Sequence, residues 1–299
     1  MNKIYRQQVE LLLNIIPTLA EIDCFAIHGG TAINFYVLDL PRYSVDIDVT
    51  YTRIKPSEET FIEIAKNLQI IKEKIISIIP NVVVVEKPNK IYCMHHGVIV
   101  KIEVSSTNIG IIEPTFIKPL CNYAQNEFET VNYAKIVSIS QLYGGLITAA
   151  LDRQHPRDLF DIKMMFDFVT DFERIKKGFI YYLLGSDRPI HELLSPGRID
   201  HRETLVKQFT GMASVAFSYN DFETTREKLI NFINSNLLQQ DKAFLVAFEA
   251  GNDLSQFVEY QEYLQFPSVQ WKLHKINKLR ENEPEKHIER VKRLENYLK

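Results

Sequence analysis

Two aspartates spaced two residues apart are the first candidates for chemistry in this sequence. Asp46 and Asp48 lie in the segment 45–51, where apolar residues alternate with acidic or hydroxyl residues. This alternation predicts a β-strand, and residues i and i+2 of a strand project from the same face. Two carboxylates on a strand otherwise suited to a core are costly to desolvate unless a cation compensates them, and their oxygen atoms suit Mg²⁺. The alternative is an exposed edge strand whose acidic side chains face solvent.

A glycine turn precedes the acid pair. Gly29, Gly30 and Thr31 follow the short apolar segment 24–28 and open a helix-like segment. Backbone N–H groups at such a helix N-terminus converge on one point and bind phosphate oxygens, although many glycine turns only reverse the chain. Combined with the acid pair on the next strand, the turn predicts a triphosphate cradle beside two Mg²⁺ ions. That arrangement supports in-line displacement at an α-phosphate.

A third acid is expected on a neighbouring strand. The segment 98–104 reads as a strand and carries Glu103, with Lys101 on the same face. Glu103 could bind the metal nearer the attacking hydroxyl and help to deprotonate that hydroxyl. The alternative is a surface salt bridge between Glu103 and Lys101.

The elements that must position these residues follow from hydrophobic periodicity. Strands are predicted at 24–28, 45–51, 82–85, 91–94 and 98–104, and helices at 4–22, 31–38, 57–79, 141–153 and 157–168. From Ser140 onward the pattern is helical. We therefore expect an α+β fold, with a core of mixed sheet and flanking helices over 1–168 and a mostly helical C-terminal domain over 169–299.

The composition restricts the class of protein further. With 45% hydrophobic and 24% charged residues, no long apolar run and a formal net charge of -3, the chain is typical of a globular protein outside the membrane. The N-terminal residues lack the apolar segment of a secretory leader, and the three cysteines lack a metal-ligand spacing. We expect a cytoplasmic protein whose basic surfaces are local.

These motifs resemble those of a known family. The first block resembles the first motif of the AbiEii toxin family, in the residues Gly29, Gly30, Thr31, Ala32, Tyr36, Arg42, Ser44, Asp46, Ile47 and Asp48. The block 149–161 resembles the later motif of that family, with its arginine and its Arg-Asp-x-x-Asp pattern, and the block 266–273 is a weaker match. AbiEii proteins are the toxins of AbiE-type and MenT-type toxin–antitoxin systems, and they belong to the DNA polymerase β superfamily of nucleotidyltransferases.

The resemblance implies a polymerase β-type core and a metal-dependent transfer of a nucleotide from an NTP to an acceptor hydroxyl, with release of pyrophosphate. It further implies an RNA acceptor, with tRNA ends as candidates, and a cognate antitoxin. With the residues found above, the expected catalytic set is Asp46, Asp48, Glu103, Asp158 and Asp161, of which Asp46, Asp48 and Glu103 would bind metal. The expected nucleotide-binding set is Gly29, Gly30, Thr31, Arg42, Ser44, Lys101, Arg153 and Arg157.

The later motif also has a purely structural interpretation. Pro156 is a favourable first helical residue, and Asp158 in the first turn interacts well with the helix dipole whether or not it is catalytic. Asp158 and Asp161 are three residues apart and so share one face of the helix.

One position departs from the family pattern. Where the family carries a lysine after a pair of small residues, this chain has Leu146 after Gly144 and Gly145. Leu146 either faces a pocket that lacks its lysine or belongs to the core. In the first case Lys101, Lys135 or Arg153 could supply the missing charge. Two other functions therefore stay open: a degenerate member that binds nucleotide or RNA without transfer, and an antibiotic-type nucleotidyltransferase acting on small molecules.

Overall fold

The computed structural model describes residues 3–169 and 171–299. The chain divides into two compact units. The first unit contains the chain up to Leu142 together with Leu205–Phe217, and the second contains Tyr143–Thr204 and Ser218–Lys299. This division by packing falls earlier than the predicted boundary after residue 168, and it returns a short later segment to the first unit.

The first unit is built on one sheet of seven strands, in the order β3-β4-β5-β2-β1-β7-β6. The strands are β1 (Phe25–His28), β2 (Asp46–Tyr51), β3 (Val83–Lys87), β4 (Lys90–His95), β5 (Val98–Val104), β6 (Phe116–Pro119) and β7 (Tyr133–Ile136). The pairs β2·β5 and β1·β7 are parallel, and the other neighbouring pairs are antiparallel. The predicted mixed sheet is confirmed.

The helices of the first unit begin with α1 (Lys3–Ala20), α2 (Gly29–Ala32), α3 (Ser57–Ile78) and α4 (Asn122–Phe128). A π-helical segment, Ile33–Val37, extends α2. The helix α1 packs on β5 and β7, and α3 packs on β3 and β4. The alternate residues Val98, Val100, Ile102 and Val104 of β5 are buried, whereas Lys101 and Glu103 between them are only half-buried. One sheet face is therefore core, and the other carries the polar residues.

All named elements of the second unit are helices, within the part of the chain that the structure describes. They are α6 (Pro156–Phe168), α7 (Glu173–Gly185), α8 (Ile190–Leu194), α10 (Tyr219–Asn236), α11 (Gln239–Ala250), the 3-10 segment Val258–Gln265, α12 (Pro267–Asn282) and α13 (Pro284–Leu298). Two further helices, α5 (Ile139–Arg153) and α9 (Arg202–Gln208), contain two of the three points at which the chain changes unit; the third follows Phe217. The expected helical second half is confirmed.

Three elements of the first unit were not predicted. The strands β6 and β7 and the helix α4 are short, and their sequences lack an extended periodic pattern. They form because β7 pairs with β1 in the centre of the sheet and β6 pairs with β7. No helix in the described residues is long and apolar enough to cross a membrane.

Candidate active site

The acid pair lies on the half-buried face of the sheet, between two strands that bring it polar neighbours. In the register of β1, β2 and β5, Asp48 is paired with His28 on one side and with Glu103 on the other. Asp46 is paired with Lys101 on β5. Paired residues of neighbouring strands project to the same face, so His28, Asp48 and Glu103 form a row across three strands. The predicted placement of Glu103 and Lys101 beside the acid pair agrees with this register.

The glycine turn runs directly against this row. Gly29 has a φ of +68°, and a Cβ atom at this residue would lie 2.8 Å from Oδ2 of Asp48. A Cβ atom on Gly30 would lie 2.6 Å from Nη2 of Arg42. Only glycine combines the left-handed backbone conformation with so close an approach to a carboxylate. The turn therefore places backbone, rather than side chains, beside Asp48.

The side chains of Thr31 and Ser44 connect the turn to the acid strand. The buried Thr31 hydroxyl donates to the backbone oxygen of Asp46 over 2.5 Å, and it lies 3.0 Å from Oγ of Ser44. This contact fixes the start of β2 relative to the start of α2. The Thr31 hydroxyl is thus already engaged within the protein, and the predicted contact of Thr31 and Ser44 with a nucleotide stays a prediction.

Arg42 is held beside the turn by the returning segment of the first unit. Its side chain is buried, and Nη1 donates to the Tyr43 backbone oxygen over 2.9 Å. Arg42 forms an isolated antiparallel bridge with Ala213, and the Tyr43 N–H donates to the Met212 oxygen over 2.8 Å. No local sequence pattern indicates that the segment 205–217 supports this residue.

Glu103 is bound by two lysines. Its Oε2 lies 2.7 Å from Nζ of Lys101, and its Oε1 lies 2.7 Å from Nζ of Lys90 on β4. Burial alone would raise the pKa of Glu103, but the hydrogen bonds from the two lysines outweigh it and lower the pKa. Burial opposes the charged form of Lys101, yet its bond to Glu103 and the charges of Asp46 and Asp48 raise its pKa overall. Glu103 and Lys101 are therefore both charged at neutral pH.

Because its carboxylate is bound by two lysines, Glu103 is a poorer candidate for a metal ligand than Asp46 and Asp48. Among residues 3–169 and 171–299, no group of three or more His, Cys, Asp or Glu side chains is gathered in a way that could hold a metal ion. The predicted metal ligands Asp46, Asp48 and Glu103 share a face, but the Glu103 carboxylate is directed to lysines.

His28 is a neighbour of the acid pair that sequence reasoning missed. Its Nδ1 lies 2.9 Å from Oγ1 of Thr50. Burial lowers the pKa of His28, although the carboxylates of Asp48 and Glu103 act in the opposite direction. A neutral imidazole therefore stands next to Asp48. Its position as the last strand residue before the glycine turn was the signal that could have identified it.

The later motif lies in the second unit, where it stabilises the start of α6. Arg153 binds Asp158 through two hydrogen bonds, from Nε over 2.6 Å and from Nη2 over 2.9 Å. The His155 side chain caps the helix by accepting from the Arg157 N–H, and Pro156 opens the helix. The structural role considered for this motif is thus present. The predicted functional roles of Arg153, Arg157, Asp158 and Asp161 stay predictions.

Leu146 belongs to the core of the second unit. Its side chain is 7% exposed. A Cβ atom on Gly144 would lie 2.2 Å from the backbone carbon of Gly178 on α7, so the glycine serves close packing of two helices. Because α7 fills the space against Gly144, a triphosphate cannot lie on that side of α5. Lys135, one of the candidates to replace the family lysine, donates to the backbone oxygen of Asp23 over 2.9 Å. Lys101 is the candidate lysine that lies beside the acid pair.

Comparison with known proteins defines the class. A model of the family described as nucleotidyl transferase AbiEii toxin, type IV toxin–antitoxin system, matches residues 10–275. The chain belongs to this family of nucleotidyltransferase toxins, as the resemblance of its motifs predicted.

A solved structure with the same fold is that of MenT4, a nucleotidyltransferase toxin from Mycobacterium tuberculosis. The two share 12% sequence identity with a TM-score of 0.61, over 91% of this chain and 92% of that one. No curated protein sequence matches the chain.

Proposed function

We propose that this chain is an active nucleotidyltransferase, which transfers a nucleotide from an NTP to a hydroxyl of RNA with the help of Mg²⁺. The observation that supports the proposal best is the contact between the glycine turn and the acid pair. A Cβ atom at Gly29 would lie 2.8 Å from Oδ2 of Asp48, so only the side-chain-free backbone of the turn can run past this carboxylate. A phosphate held by the turn would therefore lie against the carboxylates.

The acid pair fits a divalent cation by the chemistry of its donors. Asp46 and Asp48 offer carboxylate oxygens from one strand face, and both are half-buried. Hard oxygen donors with further positions left for phosphate and water are what Mg²⁺ prefers. Asp46 and Asp48 would hold the ion, which when bound would neutralise phosphate charge and favour ionisation of the acceptor hydroxyl. Glu103 would join as a ligand only by leaving its lysines.

The remaining residues would bind and orient the substrates. The N–H groups at the start of α2 would receive phosphate oxygens, since a helix N-terminus favours anions. Lys101 would supply the positive charge that the family places at the position of Leu146, because it lies beside Asp46 in the register. Glu103 is the ionised carboxylate paired with Asp48 in the sheet, and we assign it the proton of the acceptor hydroxyl.

The antitoxin partner is supported by the family description alone, and the RNA acceptor by what the resemblance of the motifs implies. AbiEii proteins are toxins of toxin–antitoxin systems. The 3′ ends of tRNA are the first acceptors to test.

The experiment compares wild type with Asp46→Ala and Asp48→Ala, using labelled NTPs, Mg²⁺ and total RNA. We expect label in RNA with the wild type, and none with either variant. The exposed Asp23→Ala is the matched control and should keep full activity. We expect the melting temperature of Asp48→Ala to be no lower than that of wild type, because removing one of two like charges relieves repulsion.

Full activity of Asp48→Ala would refute the metal assignment. NTP binding by the wild type without transfer would instead identify a degenerate member, and transfer only to small acceptors would identify an antibiotic-type enzyme.

A further inference from the structure

The sheet face that carries the acid pair continues past β5 to the edge strand β3. In the register of β3, β4 and β5, three rows of residues project to the face that holds Asp46 and Asp48. The rows are Lys87, Lys90 and Glu103; Val85, Tyr92 and Lys101; and Val83, Met94 and Ile99. We call the part formed by Lys87, Lys90, Tyr92, Val85 and Met94 the edge platform.

This face is accessible to a ligand. The side chains of Val83, Val85 and Ile99 on this face are 56%, 40% and 49% exposed. The alternate residues Ile91 and Cys93 of β4 are fully buried on the opposite face. The edge platform is therefore open, whereas the reverse of the same strands belongs to the core.

The edge platform combines an aromatic ring with positive charge. Nζ of Lys87 lies 5.3 Å from the centre of the Tyr92 ring. Lys90, in the same row as Lys87, forms a salt bridge with Glu103 and so links the edge platform to Asp48, with which Glu103 is paired. Strands lie about 4.8 Å apart, which puts Tyr92 on β4 roughly 10 Å from the acid pair on β2. The last few nucleotides of a single nucleic-acid strand can therefore contact Tyr92 and the acid pair at the same time.

We propose that the edge platform binds the 3′-terminal nucleotides of a single-stranded RNA acceptor, with a base stacked on Tyr92 and phosphates contacting Lys87 and Lys90. This inference rests on the proposed function, because it assigns the acceptor side of the same site. Proteins that bind single strands without reading sequence pair aromatic rings with basic residues along the backbone path. If the edge platform bound an apolar surface of another protein, the lysines between the edge strand and the acid pair would have no role.

The test uses the full chain and a fluorescein-labelled single-stranded RNA, with binding measured by fluorescence anisotropy in the absence of NTP. Tyr92→Leu keeps an apolar side chain and removes the ring, and Lys87→Gln removes a charge at the exposed hairpin. We expect Tyr92→Leu to weaken RNA binding about 5- to 100-fold. In steady-state transfer, both variants should raise KM for RNA and leave KM for the NTP unchanged.

The matched controls are Tyr133→Leu, an exposed tyrosine on β7, and Lys66→Gln, an exposed lysine on α3. Unchanged RNA binding by both edge variants, or an equal loss in the controls, would overturn the inference. Loss of binding in the edge variants of a protein that transfers nothing would uphold the edge platform and refute the proposed function. Transfer to RNA by both edge variants with the wild-type KM for RNA would do the reverse.

Discussion

The carboxylate of Glu103 receives hydrogen bonds from Lys90 and Lys101, whereas Asp48, paired with it in the sheet, lies against the backbone of the glycine turn. Acids in one row thus have different environments and are suited to different roles. Lysine pairing fixes the position of Glu103 and keeps it ionised, although the lowered pKa makes it a weaker base. The aspartates are the better candidates for the cation.

Glu103→Gln tests this division of roles. The amide keeps the shape but cannot take a proton, so we expect turnover to fall by about 10²- to 10⁴-fold. NTP binding should be unchanged or tighter, since Lys90 and Lys101 lose their anionic partner. Pre-steady-state transfer and equilibrium NTP binding would be measured on the same preparation. Unchanged turnover would show that Glu103 is a structural partner of the lysines.

Leu146→Lys tests the residue at which this chain departs from its family. The side chain is buried, so a lysine there would place an unpaired charge in the core of the second unit. We expect a loss of about 2–5 kcal/mol of stability in urea unfolding. The volume-conserving Leu146→Met should cost less than about 1.5 kcal/mol. An unchanged stability together with tighter NTP binding would instead show that this position faces the nucleotide.

Among the elements of the second unit, α12 is anchored by an unusual buried lysine. Nζ of Lys272 donates to the Arg188 backbone oxygen over 2.7 Å and to the Leu183 oxygen over 3.2 Å. Burial lowers the pKa of Lys272 to about 7, with Glu249 and Asp187 raising it and Arg290 and Lys275 lowering it further. The packing of α12 on α7 is therefore coupled to the protonation of one amine.

The sign of the resulting pH dependence follows from linkage. Between pH 7 and the ordinary lysine value of 10.5, the unfolded chain binds a proton that the folded chain does not, so stability rises with pH. Relative to Lys272→Met, which cannot titrate, the wild type should gain up to about 1.4 kcal/mol per pH unit in this window. Urea unfolding of both proteins at about pH 7, 8 and 9 would measure how the difference in their unfolding free energies changes with pH. A difference that does not change with pH would mean that Lys272 stays charged when folded.

At the scale of the whole molecule, the formal charge is slightly negative, with 35 basic and 38 acidic residues. Such a chain has no general attraction for nucleic acid, so binding to RNA requires a local concentration of positive charge. On the first unit, the edge platform supplies Lys87 and Lys90, of which Lys90 is shared with Glu103.

This locality predicts a modest salt dependence of RNA binding. The two lysines proposed to contact RNA phosphates, Lys87 and Lys90, should give a slope of about -1.4 for the logarithm of the association constant against that of salt concentration. Lys87→Gln should reduce the magnitude of this slope by about 0.7, and Lys66→Gln should leave it unchanged. Anisotropy titrations over a series of NaCl concentrations would provide the slopes. A salt-independent affinity would exclude phosphate contacts by these lysines.

Much of the fold and part of the candidate site could be predicted from sequence because local patterns encode them. The period-two alternation around Asp46 and Asp48 predicted both the strand and their shared face, and β2 has that form. The order of α+β and helical halves followed from the change of period after Ser140. By contrast, β6 and β7 were missed, since their short sequences gain strand conformation only by pairing within the sheet.

The sequence by itself determined which residues share a strand face and where the glycine turn lies, because these depend on neighbours a few positions apart. Only the tertiary structure decided that Lys90 of β4 binds Glu103, that segment 205–217 supports Arg42, and that Leu146 is buried. Each of these depends on contacts between segments distant along the chain. Such contacts depend on the register of the strands and on which face of the sheet is buried, because burying one face determines which residues lie on the other.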